Sequence, residues 1–126
     1  MRRSDRLILT LAALGGIALV AIGIRFFVWP DAAARFFGIA PRPTGTELHT
    51  AVALRDLWLG VLALAFAWLR DWRAMALWFG SGALVCLGDA ALVVYATGKP
   101  PAIAFHLISS VACALMAAAS WSRTKR

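Results

Sequence analysis

Arg25, Arg55, Asp56, Asp89 and His106 stand inside runs that are otherwise apolar enough to cross a membrane. A charge at bilayer depth costs about 2.5–3.5 kcal/mol on insertion scales, so such residues face a bundle interior and are candidates for a site. A carboxylate beside an imidazole in a low-dielectric pocket can carry general acid–base chemistry, such as isomerisation or proton shuttling. Asp89 and His106 are the candidate acid–base pair, with Asp56 as a second base or an orienting group. Arg25 and Arg55 would stabilise developing negative charge or hold an anionic head group. Glu47, His49, Trp58, Ser109 and Ser110 are the further candidates for lining a substrate pocket.

These residues need elements that hold them in lipid. The chain has 126 residues, is 62% hydrophobic and has a mean hydropathy of +0.78, far too apolar for a soluble domain of this length. A spanning helix needs about 20 apolar residues, and four segments qualify: 6–29, 45–69, 72–96 and 101–121. Pro30 ends the first, Thr44-x-x-Glu47 forms a capping box for the second, Gly98 terminates the third and Pro101 suits the first turn of the fourth. The segment 31–38 reads as a short interfacial helix between the first two spans, too short to cross and rich in aromatics. The predicted fold class is therefore all-α, a single-domain antiparallel four-helix transmembrane bundle. The apolar run from Leu7 to Ile24 exceeds a cleavable signal's core, so the first span is expected to stay in the mature chain.

The net charge of +7 forms no basic face, which argues against nucleic acid as a partner. It sorts by side instead. Arg2, Arg3, Arg6, Arg70, Arg73, Arg123, Lys125 and Arg126 fall on one side, and Arg35, Arg42 and Lys99 on the other. By the positive-inside rule both termini are expected to be cytoplasmic, in the cell membrane. Trp68, Trp72 and Trp121 fit the cytoplasmic boundary, and Trp29 and Tyr95 the opposite one. At about 1.5 Å per residue, Arg25 then lies roughly 6 Å inside the outer boundary, His106 about 8 Å, Asp89 about 10 Å, and Arg55 and Asp56 about 15 Å. All four spans are thus expected to bring a polar group to one layer in the extracytoplasmic half.

Helical phase supports an interior face. His49, Ala53, Asp56 and Gly60 form one small and polar stripe, and His106, Ser109, Ser110 and Cys113 another. Ser81, Gly82 and Asp89 lie roughly on one side of the third span, and Ala12, Gly16 and Gly23 on one side of the first. The plainer reading is that Arg25 and Arg55 pair with Asp56 and Asp89 only to fix helix register. Trp58 and Trp78 lie deep enough to line a pocket, while Cys86 and Cys113 read as small packing residues. His49 and His106 lack any short ligand spacing, so neither a metal nor another cofactor is expected.

Ala53-Leu-Arg-Asp-Leu-Trp-Leu-Gly60, preceded by Ile24-Arg-Phe and Pro30 and followed by Gly88-Asp89, Gly98-Lys-Pro and His106, resembles a family of small four-helix integral membrane proteins, the domain-of-unknown-function family of the 4267 type. Ala53 stands where glycine is expected in that pattern. More loosely, the layout is similar to DoxX-type membrane proteins, which are associated with redox partners. The resemblance implies fold and placement, and no activity. The residues point to a polar pocket that binds, or acts by acid–base chemistry on, a lipophilic small molecule, with membrane lipid around it. The alternatives are a non-catalytic subunit, packed by small-residue stripes against a membrane partner or a second copy, and a small transporter acting as an oligomer.

Overall fold

Each long apolar run becomes one helix in the computed structural model, which describes residues 2–40 and 47–125. The elements are α1 (Arg3–Val28), α2 (Pro30–Phe37), α3 (Glu47–Leu69), α4 (Trp72–Ala96) and α5 (Pro100–Trp121). The described residues contain no strand. All four long helices have the length and apolarity to cross a membrane, which makes this a multi-pass membrane protein.

Local chemistry sets the helix ends. Proline opens both α2 and α5, where its missing N–H has no helical partner to lose. The Asp71 carboxylate accepts from the Ala74 N–H at 3.0 Å and caps α4. Between α3 and α4 the chain reverses through Arg70 at φ 54°, so the two helices are joined by the tightest of turns. The second span begins at Glu47, and its expected cap Thr44 and start Gly45 lie outside the described residues. The short helix runs one residue earlier than expected, because Gly38 ends it in the left-handed region at φ 103°.

The helices associate as two antiparallel pairs, α1 with α3 and α4 with α5, and contacts between the pairs are sparse. Apolar burial gives little drive for association in lipid, so close packing has to supply it. Along α1 and α3 the small residues meet each other. A Cβ added to Gly60 would lie 2.7 Å from the Gly16 carbonyl oxygen, and one on Gly23 would lie 2.9 Å from that of Ala53. In the other pair, the Ser110 hydroxyl donates to the Ala83 carbonyl at 2.9 Å.

Near the end that carries the termini, the pairs share one apolar cluster built on Ile8, Ala12, Ala67, Met75 and Phe79. Arg123 and Asp5 close the same end with an ion pair at 3.5 Å. Trp29, Trp68, Trp121 and Tyr95 are exposed near helix ends, where their amphipathic rings suit the membrane interface.

The close approach of α1 and α3 makes a direct prediction. Gly60→Ala drives a methyl into the backbone of Gly16 and Val20 and is expected to destabilise the fold by about 1–3 kcal/mol. Gly15→Ala, whose Cβ would meet nothing within 4 Å, is expected to leave stability unchanged or raise it by up to about 1 kcal/mol. Thermal unfolding in detergent micelles compares the two, and identical melts would remove backbone approach as the basis of the pairing.

Candidate functional site

Three of the five intramembrane ionisable residues meet. The Arg55 Nε lies 2.9 Å from the Asp56 Oδ1, and its Nη2 lies 3.7 Å from the Asp89 Oδ2. Asp56 is buried at 4% exposure, while Arg55 and Asp89 are partly buried. The guanidinium therefore neutralises a carboxylate on its own helix and reaches across to α4, linking the two helix pairs at mid-height. Its hydrogen bond to Asp56 is charge-assisted and short, whereas 3.7 Å to Asp89 is an ion pair without a direct hydrogen bond.

Arg25 stands apart from this group. It lies on the exposed side of α1 with its guanidinium 5.1 Å from the centre of the Phe36 ring, a cation–π contact. The cause is helical phase. Gly23 faces α3, and two residues further along a helix lies about 200° around it, on the far side. Trp58 follows the same rule: two positions after buried Asp56, it faces outward at 60% exposure and lines neither of the two clefts described below. The expected layer thus receives its charges from α3 and α4, and α1 contributes none to it.

His106 is buried on α5, and its Nε2 lies 3.0 Å from the carbonyl oxygen of Phe37. The ring nitrogen donates to one of the orphan carbonyls at the end of α2, and the ring packs on that of Phe37 with centroids 4.5 Å apart. No hydrogen bond or ion pair joins Asp89 to His106 among the described residues, so the expected acid–base pair is not assembled: each has another partner. The Thr97 hydroxyl donates to the next carbonyl, that of Gly38. Gly38 itself is wedged between Val93 and Ala102, where a Cβ would lie 2.6 Å from that of Ala102. The end of α2 is thereby pinned onto α4 and α5, although the helix grows out of α1. Sequence patterns missed this anchor because its acceptors are backbone carbonyls; a Gly after Phe-Phe was the one available signal.

The serines of α5 divide. Ser110 is buried and bonds across to α4, as above, but Ser109 donates to the Phe105 carbonyl on its own helix at 2.8 Å. Cys86 and Cys113 are free thiols, both half-buried. Trp78 packs into the apolar cluster at the termini end, edge-on to Phe79.

The pinned α2 leaves a cleft on each side. One, of about 630 Å³, lies between α1, α3 and α4 and is lined by Phe26, Ile39, Glu47, His49, Leu92 and Tyr95 among others. Glu47 is exposed, and His49 is 93% buried against the face of Phe26, with centroids 6.1 Å apart and planes at 28°. The His49 Nδ1 is buried with no hydrogen-bond partner among the described residues. The other cleft, of about 570 Å³, lies between α2 and the start of α5 and holds Arg35, Phe36, Lys99 and Phe105. No group of three or more His, Cys, Asp or Glu among the described residues could hold a metal ion.

Residues 16–120 match the family described as a domain of unknown function, DUF4267. The chain belongs to that family. The matched stretch takes in α2, both clefts and the Arg55–Asp56–Asp89 cluster. Neither curated proteins nor solved structures give a match to this DUF4267 chain.

Two substitutions separate the cluster from the anchor. Arg55→Met strands Asp56 without its cation and is expected to destabilise the fold by about 3–5 kcal/mol. Asp89→Asn should cost clearly less, because Arg55 keeps Asp56, and Arg55→Met combined with Asp56→Leu should recover most of the loss. Chemical unfolding in micelles reads the order. His106→Ala orphans the Phe37 carbonyl, at about 1–3 kcal/mol, and should expose the bond after Arg35 to trypsin. Unchanged proteolysis at Arg35 would mean that α2 is held by other contacts.

Proposed function

We propose that this protein binds a lipophilic small molecule bearing a hydroxyl or carbonyl head in the cleft between α1, α3 and α4, with Glu47 and His49 as its polar contacts. The observation that carries this reading is His49, which lines the cleft together with Glu47 and Tyr95 and whose buried Nδ1 has no hydrogen-bond partner among the described residues. An unmet buried nitrogen costs about 1–3 kcal/mol, which a ligand head group would recover on binding. Small-molecule sites have this build, with largely apolar walls and a few placed polar groups. Phe26 holds the imidazole by stacking, so its orientation is set before any ligand arrives.

Any acid–base step belongs to His49 and Glu47 rather than to Asp89 and His106. The latter two already have partners, whereas the His49 Nδ1 has none among the described residues, and Glu47 lines the same cleft from the first residue of α3. Asp56, Arg55 and Asp89 hold the two helix pairs at the spacing that forms the cleft. The excess of Arg and Lys at the termini end supports an orientation with both termini cytoplasmic in the cell membrane, so that the cleft opens toward the opposite leaflet.

A long-chain alcohol carrying a diazirine, applied to the protein in nanodiscs, tests the reading. Labelling should concentrate on residues 26, 49, 92 and 95. It should vanish in Leu92→Trp, which fills the cleft, and fall about tenfold in His49→Phe, which keeps the stack and removes one hydrogen bond. Label spread evenly over the lipid-facing surface, and insensitive to Leu92→Trp, would overturn it.

A further inference from the structure

We infer that the second cleft, between α2 and the start of α5, is a specific site for an anionic phospholipid of the surrounding leaflet. Its walls carry two exposed cations, Arg35 in the last turn of α2 and Lys99 at the N-cap of α5. Neither makes an ion pair with a carboxylate among the described residues, where the only acidic partners found in such pairs are Asp5, Asp56 and Asp89. Between the two cations the floor is aromatic, with Phe36 and Phe105 meeting edge to face at 5.6 Å. Arg25 lies over the Phe36 ring at 5.1 Å and adds a third positive charge behind that floor.

The arrangement has the two parts of a phospholipid in the right order. Charge sits at the outer end of the helices, at head-group height, and the aromatic floor leads from it along α5 toward the hydrocarbon, where an acyl chain lies. The recognition rests on the side-chain cations and not on the helix terminus, because Pro100 and Pro101 remove two of the N–H groups that α5 would otherwise present to an anion. Two side-chain cations lining one cleft give the charge complementarity that distinguishes an anionic head group from a zwitterionic one. The site is independent of the Glu47–His49 cleft, from which α2 separates it.

Native mass spectrometry of the purified protein in detergent, titrated with phosphatidylglycerol and phosphatidylcholine of identical acyl chains, tests the assignment. Phosphatidylglycerol should bind at least about tenfold more tightly. Arg35→Gln with Lys99→Gln should abolish the preference, Arg35→Lys with Lys99→Arg should keep it, and Arg70→Gln with Arg73→Gln, at the other end of the molecule, should leave it intact. Equal binding of the two lipids, or a preference that survives the double Gln variant, would overturn the site. Inorganic phosphate at millimolar concentration should not displace the lipid; displacement would identify a free-anion site in place of a lipid site.

Discussion

A carboxylate cannot be left alone in hydrocarbon, and Asp56 is buried at 4% exposure in the middle of a membrane-crossing helix. Arg55 beside it is what makes that position tenable. A neighbour in sequence is an unusual partner on a helix, since adjacent side chains point about 100° apart. The guanidinium must fold along α3 to bring its Nε to the carboxylate, and that leaves the far nitrogen directed at Asp89 on α4. One side chain thus neutralises its own helix and sets how closely the α1–α3 pair approaches the α4–α5 pair. The two pairs otherwise meet sparsely, in the apolar cluster near the termini, and the clefts lie toward the opposite end, beside α2.

The α2 helix shapes that room. It departs from α1 through Trp29 and Pro30, buries Ala33 and Ala34, and delivers its last carbonyls to His106 and Thr97. Carbonyls at a helix end are orphans that need donors, and in lipid there is no water to supply them. Two side chains from the α4–α5 pair do so, and Gly38 permits the approach because no Cβ fits there. The short helix is consequently a strap across the top of both pairs, with one cleft to either side. The histidine that looked most catalytic in the sequence is the residue that fastens it.

What the sequence revealed follows from which physical variables it encodes. Length of apolar run encodes span, so all four long helices were legible, and Pro30 and Gly38 marked the strap. Distance from a helix end encodes depth, which rightly put Arg55, Asp56 and Asp89 within reach of one another. Depth does not encode azimuth. Arg25 has a suitable height but the wrong face, and the signal that could have shown this was present in Gly16 and Gly23, whose spacing fixes the side of α1 that meets α3. Trp58 fails for the same reason relative to Asp56. The partners of His106 and Thr97 were illegible in a stricter sense, because a backbone carbonyl has no residue type, and only the path of the chain says where it arrives.

The same accounting separates residues that hold the structure from residues that wait for something. Arg55, Asp56, Asp89, His106, Thr97 and Ser110 each have a protein partner in the bundle. A ligand approaching any of them must first break an interaction that stabilises the fold, and the exchange yields little net binding. His49 Nδ1, Arg35 and Lys99 have no such interaction to lose among the described residues. Each belongs to a residue that lines a cleft beside the strap, and an incoming polar or anionic group would have no protein partner among the described residues to displace there. Both proposed sites therefore use groups flanking α2 that lack a protein partner among the described residues, and neither uses the Arg55–Asp56–Asp89 cluster that links the helix pairs.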